Sequence, residues 1–464
     1  GLLDVGARLG AADQDRGVRM NVQRLSDRGY ERLEDNQRLD IFTLRGDVRL
    51  TARDDVTLWA GMNNGKRING FPGSFDNGLR TLTSHNRFAH VRWNRTYSTD
   101  SELSAGLYRN DETIYEPLSI PGIDVDRQST RDNLDFQHTY AASRALRIVW
   151  GGETRRDRVQ SRTAFFPGGE ATSRLYRGFA NAEWRPFTSL VVNAGGMEEK
   201  YAGKAPRLAP RLFGNWTVTP GQTLRAGWTR AYREPSLFEE RGDLRLFSGA
   251  TLLQVYQFGP GALRPERILS REIGWVAQYA PWRLTTDVRA YQENVADLIE
   301  TQSVSAPAGS GALDPRSRVY YNVGERAQIR GLEAQVKARP RSSTDLLVGG
   351  AMVRINSQKL EFNNTAPKVT WNATWIERYA YGFSTTLTFA KVGSYRWIGS
   401  QPVDNYHYYD ARLAREFRIG ATRLEIAGGV QDFGPHREEF QLGASYTPRQ
   451  PISRLYYLSA RVDL

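Results

Sequence analysis

Apolar and polar residues change places at every step along much of this chain. That is the period of an extended strand whose two faces meet different surroundings. Near the start, Leu3, Val5, Ala7 and Leu9 alternate with Asp4, Gly6, Arg8 and Gly10. Val18, Met20 and Val22 alternate with Arg19, Asn21 and Gln23, and Phe42, Leu44, Val48 and Leu50 with Thr43, Arg45, Asp47 and Arg49. Leu146, Ile148 and Trp150 stand against Arg147 and Glu153; Trp282, Leu284, Val288 and Ala290 against Arg283, Asp287 and Arg289; Leu424, Ile426 and Val430 against Arg423, Glu425 and Gln431. The last run puts Tyr456, Leu458, Ala460, Val462 and Leu464 on one face. The pattern predicts an all-β chain whose strands carry one greasy and one ionic face.

The punctuation between strands is uneven. Short turns fall at 52–55, 98–100, 142–144, 185–187, 219–221, 280–281, 339–341, 381–382 and 419–420. Longer connections lie between them, at 63–79, 111–130, 155–172, 293–317 and 393–405. Short turns on one side and long loops on the other is the organisation of a membrane-spanning antiparallel barrel. A soluble sandwich would instead bury the greasy faces between two layers. A propeller repeats at about 40–45 residues, but with four short strands per repeat where this chain has two long ones. Trp184, Phe187, Tyr279, Trp282 and Tyr381 sit beside short turns, as an interfacial aromatic belt requires.

The longest connection, Ala231 to Gly274, carries a pattern of its own. Arg233, Pro235, Leu237 and Glu239 leave one strand, and Pro260, Leu263, Pro265, Glu266, Glu272 and Gly274 lead into the next. These positions resemble the mid-barrel signature of TonB-dependent outer-membrane receptors, with Gly259 where an Asn is usual and one additional residue before Leu263. The chain's end, Val430 to Phe433 and Arg454 to Ser459, is similar to the last two strands of that family. The resemblance implies a 22-stranded plugged barrel in the bacterial outer membrane. It also implies a monomeric receptor that imports a scarce nutrient, foremost a ferric siderophore, with TonB pulling on the plug. Counting strands back from a periplasmic C-terminus makes Leu2–Ala11 the second strand and Asp40–Leu50 the fourth. About 21 strands are then expected in residues 1–464, with the plug and first strand preceding Gly1. The signature residues Arg233, Pro235, Leu237, Glu239, Pro265, Glu266, Glu272 and Gly274 are expected to be structural, their charges pairing with one another.

Composition changes this picture little. Hydrophobic residues make up 40% and aromatics 11% of 464 residues, suiting a wall that is greasy outside and polar inside. No apolar run approaches the roughly 18 residues of a spanning helix. Cysteine is absent, which fits an envelope protein. The net charge is +12, but the arginines are dispersed rather than gathered in one patch, so nucleic acid is not an expected partner. Contacts with outer-membrane lipid and lipopolysaccharide, and with an anionic metal chelate, account for the excess better.

Candidate chemistry is sparse. No metal-site or nucleophile motif is present, and neither a cofactor nor a resident metal is expected. His407, near Asp404 and Asp410, is the single candidate for a barrel enzyme. Asp111, Glu112, Asp124 and Asp126 are hard oxygen ligands without the spacing of a calcium loop. A set of loop arginines and aromatics is expected to bind ligand: Arg67, Phe71, Phe75, Arg155, Arg156, Phe165, Phe166, Arg241, Tyr256, Tyr395, Arg396 and Trp397. Arginine offers a planar donor fork to carboxylate or catecholate oxygen, and aromatics give flat apolar area at small entropic cost. Loop packing and lipopolysaccharide contact are the competing uses of the same residues. The expected function is active import through the outer membrane; a passive porin-like channel and an outer-membrane enzyme are the alternatives.

Overall fold

The computed structural model describes residues 1–29, 34–71, 78–117, 124–396, 402–420, 422–435, 438–439, 450–451 and 454–463. Its body is one 21-stranded sheet. Each strand pairs antiparallel with its predecessor in the sheet, from Leu2–Ala12 and Arg16–Asp27 through to Thr422–Gln431 and Leu455–Asp463. The turns at one end, such as 52–53, 99–100, 144–145 and 220–221, are minimal, whereas those at the other end reach 234–265 and 297–326. Two expected turns shift. Arg185–Phe187 and Arg339–Arg341 are strand, and the reversals lie at Thr188–Ser189 and Ser342–Ser343. Pro186 and Pro340 sit at register breaks, where the ladder tolerates a missing N–H.

The greasy faces are not buried against a second layer. Leu9 is 61% exposed, Ile273 61% and Leu458 81%; Leu146, Ile148 and Val288 are half-buried. The total accessible surface is 28804 Å², where a solid globule of this mass would show about 17,600 Å². A shell one sheet thick has this excess. Of the belt aromatics, Trp184, Phe187 and Tyr381 are exposed beside the short turns, and the side chain of Trp282 lies outside the described residues.

The ionic faces converge on the concave side. Arg92 reaches past a strand to Asp135 at 3.0 Å, crossing Gly106, and Arg225 reaches Asp287 at 2.7 Å by crossing Gly274. A Cβ at Gly106 would strike the Asp135 carboxylate, and one at Gly274 the crossing Arg225 side chain. Arg177 bridges Glu153 and Glu199, and Arg289 bridges Glu272 and Glu333. Hydrogen-bonded pairing of this kind is what allows charge to line a wall away from bulk water.

Twenty-one is an odd number of alternating strands, so Leu2–Ala12 and Leu455–Asp463 run in the same direction. They cannot complete an antiparallel ring by pairing with each other. Both instead border a cavity of about 1520 Å³, lined by 6–12 on one side and 460–462 on the other.

Two of the long connections fold together. Asp243–Ser248 and Thr251–Phe258 form a hairpin, as do Ile299–Ser305 and Arg316–Asn322, and the two join through Phe258 beside Val319. This four-stranded sheet at the long-loop end is a feature the sequence reading leaves as loop.

Candidate ligand-binding mouth

The long connection begins with a clasp. Ser236 caps the short helix Leu237–Arg241 by accepting from the Glu239 N–H, and the Glu239 carboxylate accepts from the Ser236 N–H in return. This reciprocal pair satisfies two helix-end donors. The same carboxylate receives Arg233 Nη1 at 3.0 Å and Nη2 at 3.1 Å. Arg233 also grips Glu266 at 2.6 and 2.7 Å, and Glu266 accepts from the Ile299 N–H at 2.9 Å. One guanidinium thus ties a strand end, a helix start and the next strand's beginning. Burial alone would push the Glu239 carboxyl up, but Arg233 and the Ser236 N–H outweigh it and hold it below the ordinary range. Of the other signature residues, Pro235 is buried, Leu237 opens the helix, Glu272 pairs with Arg289 at 3.4 Å, and Pro265 immediately precedes Glu266.

So anchored, the helix leans over the inner wall and encloses a cavity of about 1000 Å³. The wall contributes Tyr108, Arg131, Arg155, Asp157 and Tyr201; the connections contribute Phe165, Lys204, Glu234, Phe238 and Arg241. Phe238 is the meeting point, edge-on to Phe165 and to Tyr320, each 6.1 Å between centroids. Seven cations line the cavity against four carboxylates. Asp157 is shared by Arg131 at 2.6 Å and Arg155 at 3.0 Å, while Lys204 holds Glu234 at 3.3 Å and Glu240 at 3.1 Å. Among the described residues Arg241 donates to the Thr172 carbonyl, at 3.0 Å, and pairs with no carboxylate. The cavity therefore keeps positive charge beside flat aromatic surface. That combination suits a planar, anionic guest.

Three of the expected ligand residues, Arg155, Phe165 and Arg241, meet here. Arg156 does not, because neighbours on a strand face opposite ways; it lies beside Asp132 and Arg174 on the outward face. Phe166 packs on Phe247 and under Arg245. Arg67 and Phe71 lie at the top of another strand pair, and Tyr256 is exposed on the loop hairpin. Tyr395 and Arg396 line a separate cavity of about 690 Å³ with Trp371 and Lys391. Phe75 and Trp397 lie outside the described residues. Sequence reasoning missed Arg131, Asp157, Tyr201, Lys204, Glu234 and Phe238. The spacing of two between Arg155 and Asp157, which puts both on one strand face, was the available signal.

The remaining candidates are drawn apart. Asp111 pairs with Arg109 on the outward face, whereas Glu112 accepts from Ser129 in the cavity wall. Asp124 and Asp126 accept turn N–H groups. No cluster able to hold a metal ion exists among the described residues. His407 packs against the rings of Phe389 and Tyr409, and Asp410 accepts from the Asp432 N–H.

With this geometry in view, comparison with known proteins defines the class. The model of the TonB-dependent receptor-like β-barrel matches residues 9–432. The chain belongs to that family, and its fold is an outer-membrane barrel. It is 22% identical over 366 residues to the ferrienterobactin receptor of Escherichia coli K12, covering 72% of this chain and 46% of that protein. It is 22% identical over 227 residues to an iron-regulated outer membrane virulence protein of Vibrio cholerae, covering 47% of this chain and 34% of that protein. The chain thus spans less than half the length of these curated relatives. Among solved structures, the siderophore receptor PirA from Acinetobacter baumannii superposes with a TM-score of 0.79 at 14% identity, over 99% of this chain and 77% of that one. A ferric enterobactin receptor mutant from Pseudomonas aeruginosa, in complex with enterobactin, gives 0.78 at 14% identity, over 98% and 78%.

Proposed function

We propose that this chain is the wall and mouth of an active importer that captures a ferric siderophore, with TonB supplying energy through a plug that residues outside this sequence provide. The observation that carries the reading is the mouth cavity, cationic, aromatic and roofed by a clasped helix. The relatives named for iron regulation and siderophores support the choice of cargo. A catecholate chelate offers flat rings and anionic oxygens to Phe165, Phe238, Arg155 and Arg241. The enzymatic alternative loses its support in His407, whose ring is engaged in aromatic packing.

The test is uptake of radioactive iron by cells carrying the full-length protein, supplied with a panel of chelates. Import of at least one catecholate chelate that stops when tonB is deleted is expected. Equal uptake with and without TonB would favour a passive channel. Replacing Arg155 and Arg241 together by Ala removes two charge-assisted donors worth about 1.5–3 kcal/mol each, so chelate affinity is expected to fall at least tenfold.

A further inference from the structure

On the concave face Arg92, Arg177, Arg225 and Arg289 each meet a carboxylate. The outward face differs over five neighbouring strands, Gln222–Arg233, Glu266–Tyr279, Leu284–Ala296, Ala327–Arg341 and Thr344–Ser357. Arg230, Arg267, Arg271, Arg330 and Arg354 all share the outward phase of Ile273, Leu332 and Met352. No Asp or Glu occupies that phase on these strands: Glu272, Asp287, Glu293 and Glu333 all alternate onto the inner face. Among the described residues none of the five arginines forms an ion pair, and Arg230 Nε is buried without a hydrogen-bond partner. Arg330 and Arg354 are directly cross-strand partners. Like charges placed so repel and weaken the pair. Elsewhere on the outward face Arg109 is neutralised by Asp111 and Asp132.

The position of the patch is as telling as its charge. On three strands an arginine follows, two residues toward the long-loop end, an exposed aliphatic: Arg271 after Ile273, Arg330 after Leu332, Arg354 after Met352. Two residues is one step of the pleat on the same face. Between the arginines lie amides, with Gln328 donating to Asn294 at 3.1 Å.

We propose that this patch is a binding site for the phosphorylated headgroup of an outer-leaflet glycolipid, whose acyl chains lie on the aliphatic band below. The inference rests on the outer-membrane reading and goes beyond it by naming the residues and the headgroup chemistry. Guanidinium forks match phosphate oxygens bidentately, and several cations facing one polyanion turn their mutual repulsion into affinity.

The experiment uses the full-length protein, purified from outer membranes in mild detergent, beside the variant Arg271→Gln/Arg330→Gln/Arg354→Gln. Native mass spectrometry reads retention of diphosphorylated lipid A and of its dephosphorylated form. Wild type is expected to retain the phosphorylated lipid, the variant at least tenfold less, and neither the dephosphorylated lipid. Equal retention by both proteins overturns the proposal. Displacement of the lipid by millimolar inorganic phosphate also overturns it, because the site would then serve free anion. Chelate binding and the heat-modifiable gel shift are expected to be unchanged in the variant, which separates a lost site from a lost fold. Added quenching by brominated lipid in Leu332→Trp, relative to the unsubstituted protein, tests the membrane reading on its own: added quenching with unchanged lipid retention would sink the patch alone.

Discussion

Arg233 holds two carboxylates that come from opposite ends of a long connection, and its loss should loosen everything those ends position. Arg233→Gln is expected to raise amide exchange through 234–242 at least tenfold while leaving the barrel strands protected, read by hydrogen exchange with mass spectrometry. The Glu239 carboxyl is held below its ordinary value near 4.5, so the sign of the pH dependence follows. Its contribution to clasp stability is complete above about pH 4.5 and is lost as pH falls through the lowered value. Protection of 234–242 relative to the intrinsic exchange rate at each pH should therefore fall on acidification from pH 5 towards pH 3, and Arg233→Gln should flatten that response. A response that persists unchanged in the variant would place the titrating group elsewhere. At Gly274 a single methyl would collide with Arg225 on its way to Asp287. Overpacking of this kind costs about 1–3 kcal/mol, and Gly274→Ala should lower the midpoint of the thermal gel shift accordingly.

Among the elements, the strands were legible because alternation is written directly into the residues: Leu332-Glu333-Ala334-Gln335 admits one reading whatever its neighbours do. The mouth was less so. Arg155 and Arg156 look alike in sequence, and only the pleat's phase sends one inward and the other outward. Phe238 gave no local sign that it would join Phe165 and Tyr320, since those contacts close across 73 and 82 residues of chain. Contacts of that reach depend on the barrel having first brought the connections together. The Arg233–Pro235–Glu239 pattern marked the place without revealing the clasp, because Glu239 serves at once as capping residue and as ion-pair partner. Each edge-to-face contact of Phe238 contributes roughly 0.5–1.5 kcal/mol. Phe238→Ala is expected to make the roof more susceptible to limited proteolysis between 234 and 265 and to weaken chelate binding, with the barrel itself still heat-stable.

At the scale of the whole molecule, parity leaves a seam. The two edge strands run the same way and flank a common cavity, so one further strand, running opposite to both, would complete the ladder. We propose that a segment preceding Gly1 provides it. In the full-length protein the amides of 3–11 on that edge should be protected from exchange, and in a chain limited to residues 1–464 they should exchange freely.

A lipid-facing wall with a polar lumen requires the greasy face of each strand to point outward and the ionic face inward. The chain contains no cysteine, so single cysteines can be introduced for spin labels along Ala327–Arg341 in reconstituted protein. Labels at Leu332, Ala334 and Val336 are predicted to be accessible to oxygen dissolved in lipid and shielded from a water-soluble nickel chelate. Labels at Gln335 and Lys337 are predicted to show the reverse, giving two accessibility profiles of period two and opposite phase. Profiles in phase with each other, or greasy positions closed to both reagents, would contradict that orientation.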